Sequence, residues 1–139
     1  MAISDKIKAL KEIKVKCFNR ARHHSIKRKK LKRIDDIIGV VSSTLNATSI
    51  ALVIVGFTMP PFLIVSAICS GVDFILCQVI TKYDIKTKHI QHQNTNREYS
   101  DLVRELSIVL LKNNMTSEQY DRYLEEVSDK ISMIENYEI

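Results

Sequence analysis

The side chain in this sequence that is most able to do chemistry in an unusual setting is the carboxyl group of Asp73. It is the one charged residue between Asp36 and Lys82. An ionisable group inside a long apolar segment is costly to bury, which makes it a candidate for a functional or packing role. A carboxyl group accepts hydrogen bonds, and the amide of Asn46 is a suitable donor. We expect Asp73 to hold a helix pair or an oligomer together. A water-filled path and a position near the membrane surface are the alternatives.

No other set of residues specifies a reaction. His89 and His92 form an H-x-x-H pair, but no cysteine or carboxylate cluster accompanies it at metal-ligand spacing, and a solvated helix face accounts for it. Glu125 and Glu126 are adjacent, so on a helix they point apart and make a poor acid–base pair. Neither a glycine-rich phosphate loop nor a nucleophile motif is found. The sequence therefore predicts no enzyme, no cofactor and no metal site.

The composition predicts an all-α fold, because the chain has only three Gly and two Pro and shows no strand-like alternation. We divide it into a basic amphipathic helical head (residues 1–36), a central antiparallel apolar helical hairpin (37–81) and an acidic pair of amphipathic helices (82–139). The three cysteines are odd in number. This argues against a disulfide framework and for buried, inert thiols.

The apolar segment is long enough for two membrane spans. Its halves, residues 37–57 and 61–81, contain 21 residues each. About 20 helical residues cross a hydrocarbon core of ~30 Å. Pro61 suits the first position of a helix, and Pro60 biases Met59 away from helical geometry. We therefore expect a tight turn at residues 58–60.

Small residues at regular spacing predict how the two halves pack. They let two helix backbones approach closely, and the polar ones supply hydrogen bonds. With a turn centred near Met59, Asp73 is expected level with Leu45 and beside Asn46. The predicted packing residues are Gly39, Ser43 and Ala47 on the first helix, with Ser66, Ser70, Gly71 and Asp73 on the second.

The flanking segments carry helical apolar patterns. The head repeats Ile3, Ile7, Leu10, Ile13 and Cys17 at helical spacing, and the tail does so in two stretches: Tyr99, Leu102, Leu106 and Val109, then Tyr120, Leu124, Val127, Ile131 and Ile134. Between the two stretches, "KNN" at 112–114 predicts a helix stop. Thr116 and Gln119 form a capping box that opens the last helix.

Charge is distributed unevenly. Residues 1–34 hold 13 of the 21 Lys and Arg, whereas residues 89–139 hold ten acidic and five basic side chains. The predicted anionic-surface set is Arg20, Arg22, Lys27, Arg28, Lys29, Lys30, Lys32 and Arg33. Because bases flank both ends of the hairpin, we expect both termini on the cytoplasmic or virion-interior side. In that topology the N-x-[ST] matches at Asn46 and Asn114 escape glycosylation.

Two other interpretations stay open. The apolar helices could form the centre of a soluble bundle that releases its hairpin on a trigger, because their Ser, Thr and Asn content is high for lipid-facing spans. The basic head could also bind nucleic acid non-specifically through phosphate contacts. It has no interleaved aromatic residues for stacking on single strands.

The pattern resembles that of small two-helix-hairpin proteins of eukaryotic double-stranded DNA viruses and virus-like elements of the Maverick and adintovirus type. The resemblance lies in "IDDIIGVVSSTLNATSIAL", "GFTMPPFLIVSAICSGV" and "IVLLKNNMTSEQYDRYLEEVSDKI". It implies a virion or host-membrane component and supplies no catalytic residue. The partners that we expect are a phospholipid membrane, bound by the basic head, and either a second copy of the chain or a capsid protein. A more distant similarity is to bacterial two-span effector domains that permeabilise membranes.

Overall fold

The fold is all-α, as predicted. The computed structural model describes residues 2–112 and 114–137, and within these ranges every regular element is a helix. Along the chain these are α1 (Ile3–Gly56), α2 (Pro61–Tyr83), α3 (Ile85–Leu111) and α4 (Ser117–Tyr137).

The basic head is not a separate helix, because α1 runs through it into the first apolar half for 54 residues. The chain has no proline before Pro60 and no glycine before Gly39. Without either residue, no local signal ends a helix between the head and the apolar segment. The expected boundary at residue 36 is therefore a change of side-chain chemistry along a continuous backbone.

The three breaks between helices have local causes. The α1–α2 turn occupies residues 57–60, and Pro61 is the first residue of α2. Between α2 and α3, Asp84 adopts left-handed geometry with φ of 46°, which Asp tolerates better than most residues. α3 ends at Leu111, so the predicted stop at 112–114 follows it directly, although Asn113 lies outside the described residues.

The capping box that opens α4 forms as its sequence predicts. The Thr116 amide donates to Gln119 Oε1 at 2.9 Å, and the Gln119 amide donates to Thr116 Oγ1 at 3.3 Å. Two amides that the first turn of α4 would otherwise leave unpaired are thus satisfied by side chains.

The chain divides into two compact units. The first combines the chain up to Arg28 with the chain from Ile90 onward, so most of the head and most of the acidic tail share one three-helix bundle. Its buried core contains Leu10, Cys17, Ala21, Tyr99, Leu102, Leu106, Tyr120, Val127 and Ile134. Most of these are the apolar positions that the helical patterns predicted, and Ile7, Ile13, Val109, Leu124 and Ile131 pack against them.

Polar contacts also join the helices of this bundle. Lys6 is 4% exposed, and its Nζ lies 2.6 Å from Asp121 Oδ2 and 2.7 Å from Ser117 Oγ at the start of α4. Arg20 Nη1 donates to Tyr99 Oη at 2.9 Å and pairs with Glu135 Oε1 at 2.7 Å. Two bases of the head are thus engaged inside the bundle.

The second unit comprises Lys29–His89. It contains the apolar part of α1, the turn and α2, which form the predicted antiparallel hairpin.

Candidate membrane hairpin and its polar contacts

The two helices of the hairpin meet along faces with heptad spacing. The least exposed positions alternate by three and four residues, which keeps them on one side of a helix. They are Ser42, Leu45, Ser49, Leu52 and Gly56 on α1, and Ser66, Cys69, Asp73, Leu76 and Ile80 on α2.

A serine cluster joins the middle of these faces. Ser49 Oγ lies 2.8 Å from both Ser66 Oγ and Ser70 Oγ, and Ser66 Oγ is 3.0 Å from the Ser49 carbonyl oxygen. Ser49 and Ser66 are buried, at 7% and 4% exposure. Small hydroxyl residues here allow close approach and satisfy one another, so the contact needs no water. Of the predicted packing residues, Ser66 and Ser70 take part in it.

Asp73 is hydrogen-bonded across the hairpin, but not to the predicted residue. Ser42 Oγ donates to Asp73 Oδ1. Asn46 is exposed, and its side chain makes no hydrogen bond with another described residue. The other contacts across the hairpin, Ser49 with Ser70 and Gly56 with Leu63, agree with a turn centred near Met59, so the partner of Asp73 differs rather than the register. Ser42 lies on the face of α1 that meets α2, whereas Asn46 lies outside that face. Ser42 satisfies the carboxylate that the sequence analysis paired with Asn46.

The predicted stripe of Gly39, Ser43 and Ala47 lies outside this contact. All three residues are exposed, and a Cβ built at Gly39 would meet nothing within 4 Å. Gly71 on α2 is open in the same way. Assigning these residues to the contact inside one hairpin is therefore wrong. The physical reason is that steps of four residues drift around a helix, whereas alternating steps of three and four stay on one face.

Gly56 is a packing residue that the sequence analysis missed. It is buried at the end of α1, and a Cβ there would lie 2.6 Å from Leu63 Cδ2 and 2.7 Å from Leu63 Cγ. Any larger residue at this position would force the Leu63 side chain to shift, so glycine favours the close approach of the start of α2. The heptad spacing from Ser42 through Ser49 to Gly56 was the signal that would have identified it.

The rest of the hairpin surface is mostly apolar. Two segments, within Ile3–Gly56 and Pro61–Leu111, are long and apolar enough to cross a membrane by length and composition. In each of them, only 6% of the most apolar 18-residue stretch is buried. Val40 and Ile64, for example, are 67% and 66% exposed. The central helices of a soluble protein are mostly buried, so this exposure favours a non-aqueous surrounding.

Hydroxyl groups elsewhere on the spans bond back to their own helix. Thr44 Oγ1 donates to the Val40 carbonyl and Thr81 Oγ1 to the Cys77 carbonyl, each at 2.9 Å. In this arrangement the hydroxyl donates to a carbonyl of its own helix, so it needs no hydrogen-bond partner on a second helix. Such hydroxyl residues count against lipid exposure, and these bonds remove part of that cost.

The basic segment of α1 remains accessible with one exception. Of the eight predicted anion-binding residues, Arg20 instead binds Glu135 and Tyr99 within the bundle, so its predicted role is corrected. Arg28 is partly exposed, and the others are exposed: Arg22, Lys27, Lys29, Lys30, Lys32 and Arg33. None of these seven forms an ion pair with another described residue.

The histidines and cysteines lie in unexpected places. His92 pairs with His24 rather than with His89, at 2.9 Å between the two Nδ1 atoms, and His24 is 8% exposed. In the described part of the chain, no group of three or more His, Cys, Asp or Glu is arranged for a metal ion. Cys17 is buried, Cys69 is half-buried, and Cys77 is exposed rather than buried as expected.

Comparisons with protein families, with curated proteins and with solved structures find no match to this chain.

Proposed function

We propose that this chain is a non-enzymatic membrane hairpin protein that inserts α2 and the apolar part of α1 into a bilayer and self-associates there. The observation that carries the proposal is the combination of an apolar exterior with an internally hydrogen-bonded polar face. Lipid cannot satisfy a polar group, so a stable span must pair its polar side chains within protein. The contacts of Asp73 and the serine cluster fit that requirement.

The surface left over on α1 supports self-association. Asn46 lies near the middle of the first span, where an exposed amide without a partner is unfavourable in hydrocarbon. Gly39 and Ser43 lie close to the same face, and the space at Gly39 is open. A second copy could approach closely there and pair its amide with that of Asn46.

The charge pattern supports an orientation and a lipid preference. The accessible bases between Arg22 and Arg33 precede the first span, and Lys82, Lys86 and Lys88 follow the second. Flanking bases favour the cytoplasmic or virion-interior side for both termini. Each base near an anionic leaflet adds about 1 kcal/mol of attraction. We also propose that this membrane is that of a virus particle or a virus-like element. Only the sequence resemblance supports this part of the proposal.

Carbonate extraction of membranes from cells expressing the full chain tests insertion. We expect the protein in the pellet and its release only by detergent. Recovery in the supernatant as a monodisperse species without detergent would contradict the proposal. It would instead favour the soluble, triggered form or a nucleic-acid-binding protein.

Asn46 and Asp73 separate assembly from permeabilisation. Asn46→Leu is expected to lower self-association in detergent, whereas Ile54→Leu, at an exposed apolar position of the same span, leaves it unchanged. Asp73→Asn keeps an acceptor oxygen for Ser42 and is expected to preserve assembly. Loss of vesicle leakage with assembly intact in Asp73→Asn would assign that residue to a conducting path instead.

A further inference from the structure

The three-helix bundle has two open grooves of opposite charge. The first, here called the basic groove, lies between α1 and α3, has a volume of about 580 Å³, and is lined in part by Lys11, Lys14, Val15, Phe18 and Leu111. The second, here called the acidic groove, lies between α3 and α4, has a volume of about 370 Å³, and is lined in part by Glu98, Asp101, Leu102, Met133 and Tyr137.

Each groove combines exposed apolar side chains with two charged side chains that form no ion pair with a described residue. Val15 and Phe18 are 59% and 56% exposed, and Met133 and Tyr137 are 62% and 79% exposed. Lys11 and Lys14 make no ion pair with a described residue, and neither do Glu98 and Asp101. The other charges of the acidic groove, Glu105 and Lys130, already pair with each other at 2.9 Å. The unpaired charges are therefore positive in the basic groove and negative in the acidic groove, while both grooves expose apolar side chains.

The two grooves lie on opposite sides of α3. Val103 and Ser107 line the basic groove, whereas Asp101 and Glu105 line the acidic groove. Each pair is two residues apart, and a helix turns by about 100° per residue, so the two linings diverge by about 200°. The two grooves of one bundle therefore cannot contact each other. Each copy has both grooves available for contact with other copies.

We propose that the basic groove of one copy docks on the acidic groove of the next copy. The bundles then associate in one direction, each using a different groove toward each of its two neighbours. Unlike surfaces in contact make the interface heterologous, and such an interface builds a ring if it closes or a row if it does not. The proposal rests on the proposed function, because insertion of the hairpin gives all copies one orientation in the membrane. Confinement to a bilayer also raises their effective concentration, which favours a modest interface.

Site-specific cross-linking of the full chain in phosphatidylcholine vesicles tests the contact without anionic lipid. One chain carries Val15→Cys and the other Met133→Cys, both in a Cys69→Ser, Cys77→Ser background. Cys17 is 1% exposed and stays in place, and the background chain without a new cysteine is the control for its reactivity. A short bismaleimide is expected to give the 15–133 adduct and little 15–15 adduct. A dominant 15–15 adduct, or none, overturns the proposal.

A charge swap then tests the complementarity. Lys11→Glu with Lys14→Glu in the first chain is expected to lower the 15–133 adduct about tenfold, because charges across an interface select its partner. Glu98→Lys with Asp101→Lys in the second chain should restore it. The matched control is Lys8→Glu with Lys16→Glu, an equal charge change at exposed positions of α1, which should leave the adduct unchanged.

The outcomes separate this proposal from its alternatives. If the swap does not restore the adduct, and the reversed lysines instead weaken binding to phosphatidylserine vesicles, the basic groove is a lipid contact and the proposal fails. Carbonate extraction of the same chains reports insertion independently. Chains that remain in the pellet but give no adduct contradict only the contact between the basic and acidic grooves, whereas chains released to the supernatant contradict the proposed function.

Discussion

The hydroxyl of Ser42 donates a hydrogen bond to the carboxylate of Asp73 across the two helices of the hairpin. A single serine thereby supplies a hydrogen bond to the one acidic or basic side chain between Asp36 and Lys82. Ser42→Ala is expected to destabilise the hairpin by about 1–3 kcal/mol, because it leaves a half-buried acceptor without its donor. Denaturation of the full chain in mixed micelles measures the loss. Ser43→Ala changes an exposed neighbour and should have almost no effect, so equal losses for both variants would argue against a specific role for Ser42.

Gly56 allows the close approach of α1 and α2 beside the turn. Gly56→Ala is expected to cost about 1–3 kcal/mol, since its Cβ would overlap the Leu63 side chain and lie 3.2 Å from the Leu63 backbone nitrogen, so that the start of α2 has to adjust. Leu63→Ala in the same chain should recover part of that loss. Gly71→Ala is the control, because a Cβ there meets nothing within 4 Å. A neutral Gly56→Ala would show that the helix ends are further apart than described.

Lys6 depends on Asp121 because the amine is buried, whereas Asp121 is 60% exposed. Asp121→Asn is expected to lower bundle stability by about 1–3 kcal/mol, since it leaves a buried charge with only the Ser117 oxygens. Helical circular dichroism during thermal unfolding measures the change. Asp129→Asn, at an exposed position of α4 outside any ion pair of the described chain, should leave the transition in place.

Tyr123 has a buried hydroxyl with no hydrogen-bond partner in the described part of the chain. Tyr123→Phe removes the unsatisfied group and keeps the ring, so we expect the free energy of unfolding to rise by about 1 kcal/mol. The same thermal unfolding experiment detects it. A destabilised Tyr123→Phe would mean that a water or another partner bonds the hydroxyl.

Alkaline pH should destabilise the bundle. Burial raises the pKa of the Cys17 thiol and that of the Tyr123 hydroxyl above their usual values. The folded chain therefore holds these protons after the unfolded chain has lost them. Stability is complete below about pH 9 and falls as pH rises through the raised values. Cys17→Ala removes the earlier contribution, so the decline of its unfolding temperature with pH should begin later than in the parent chain. An unchanged onset would contradict the Cys17 assignment.

Local signals were sufficient for the hairpin turn, for the start of α4 and for most of the bundle core, although not for the continuity of α1 past residue 36 or for the break at Asp84. The double proline places the turn, the Thr116–Gln119 box opens α4, and the helical apolar patterns identify most of the bundle core. Each of these effects acts within a few residues of the chain, so it can be read from the sequence. The same is true of the two apolar segments long enough to span a membrane.

Only the tertiary structure decided which faces meet. Small residues occur on more than one side of α1, and both Ser42 and Asn46 were chemically able to bond Asp73. The choice depends on which positions find a partner on α2: Ser49 finds Ser66 and Ser70, and Gly56 finds Leu63. Likewise, Lys6 and Arg20 look like members of a uniform basic surface until α3 and α4 bring Asp121, Tyr99 and Glu135 beside them. The sequence determined the helices and their apolar segments because those depend on neighbouring residues, whereas pairing depends on residues that are distant in the chain and close only after folding.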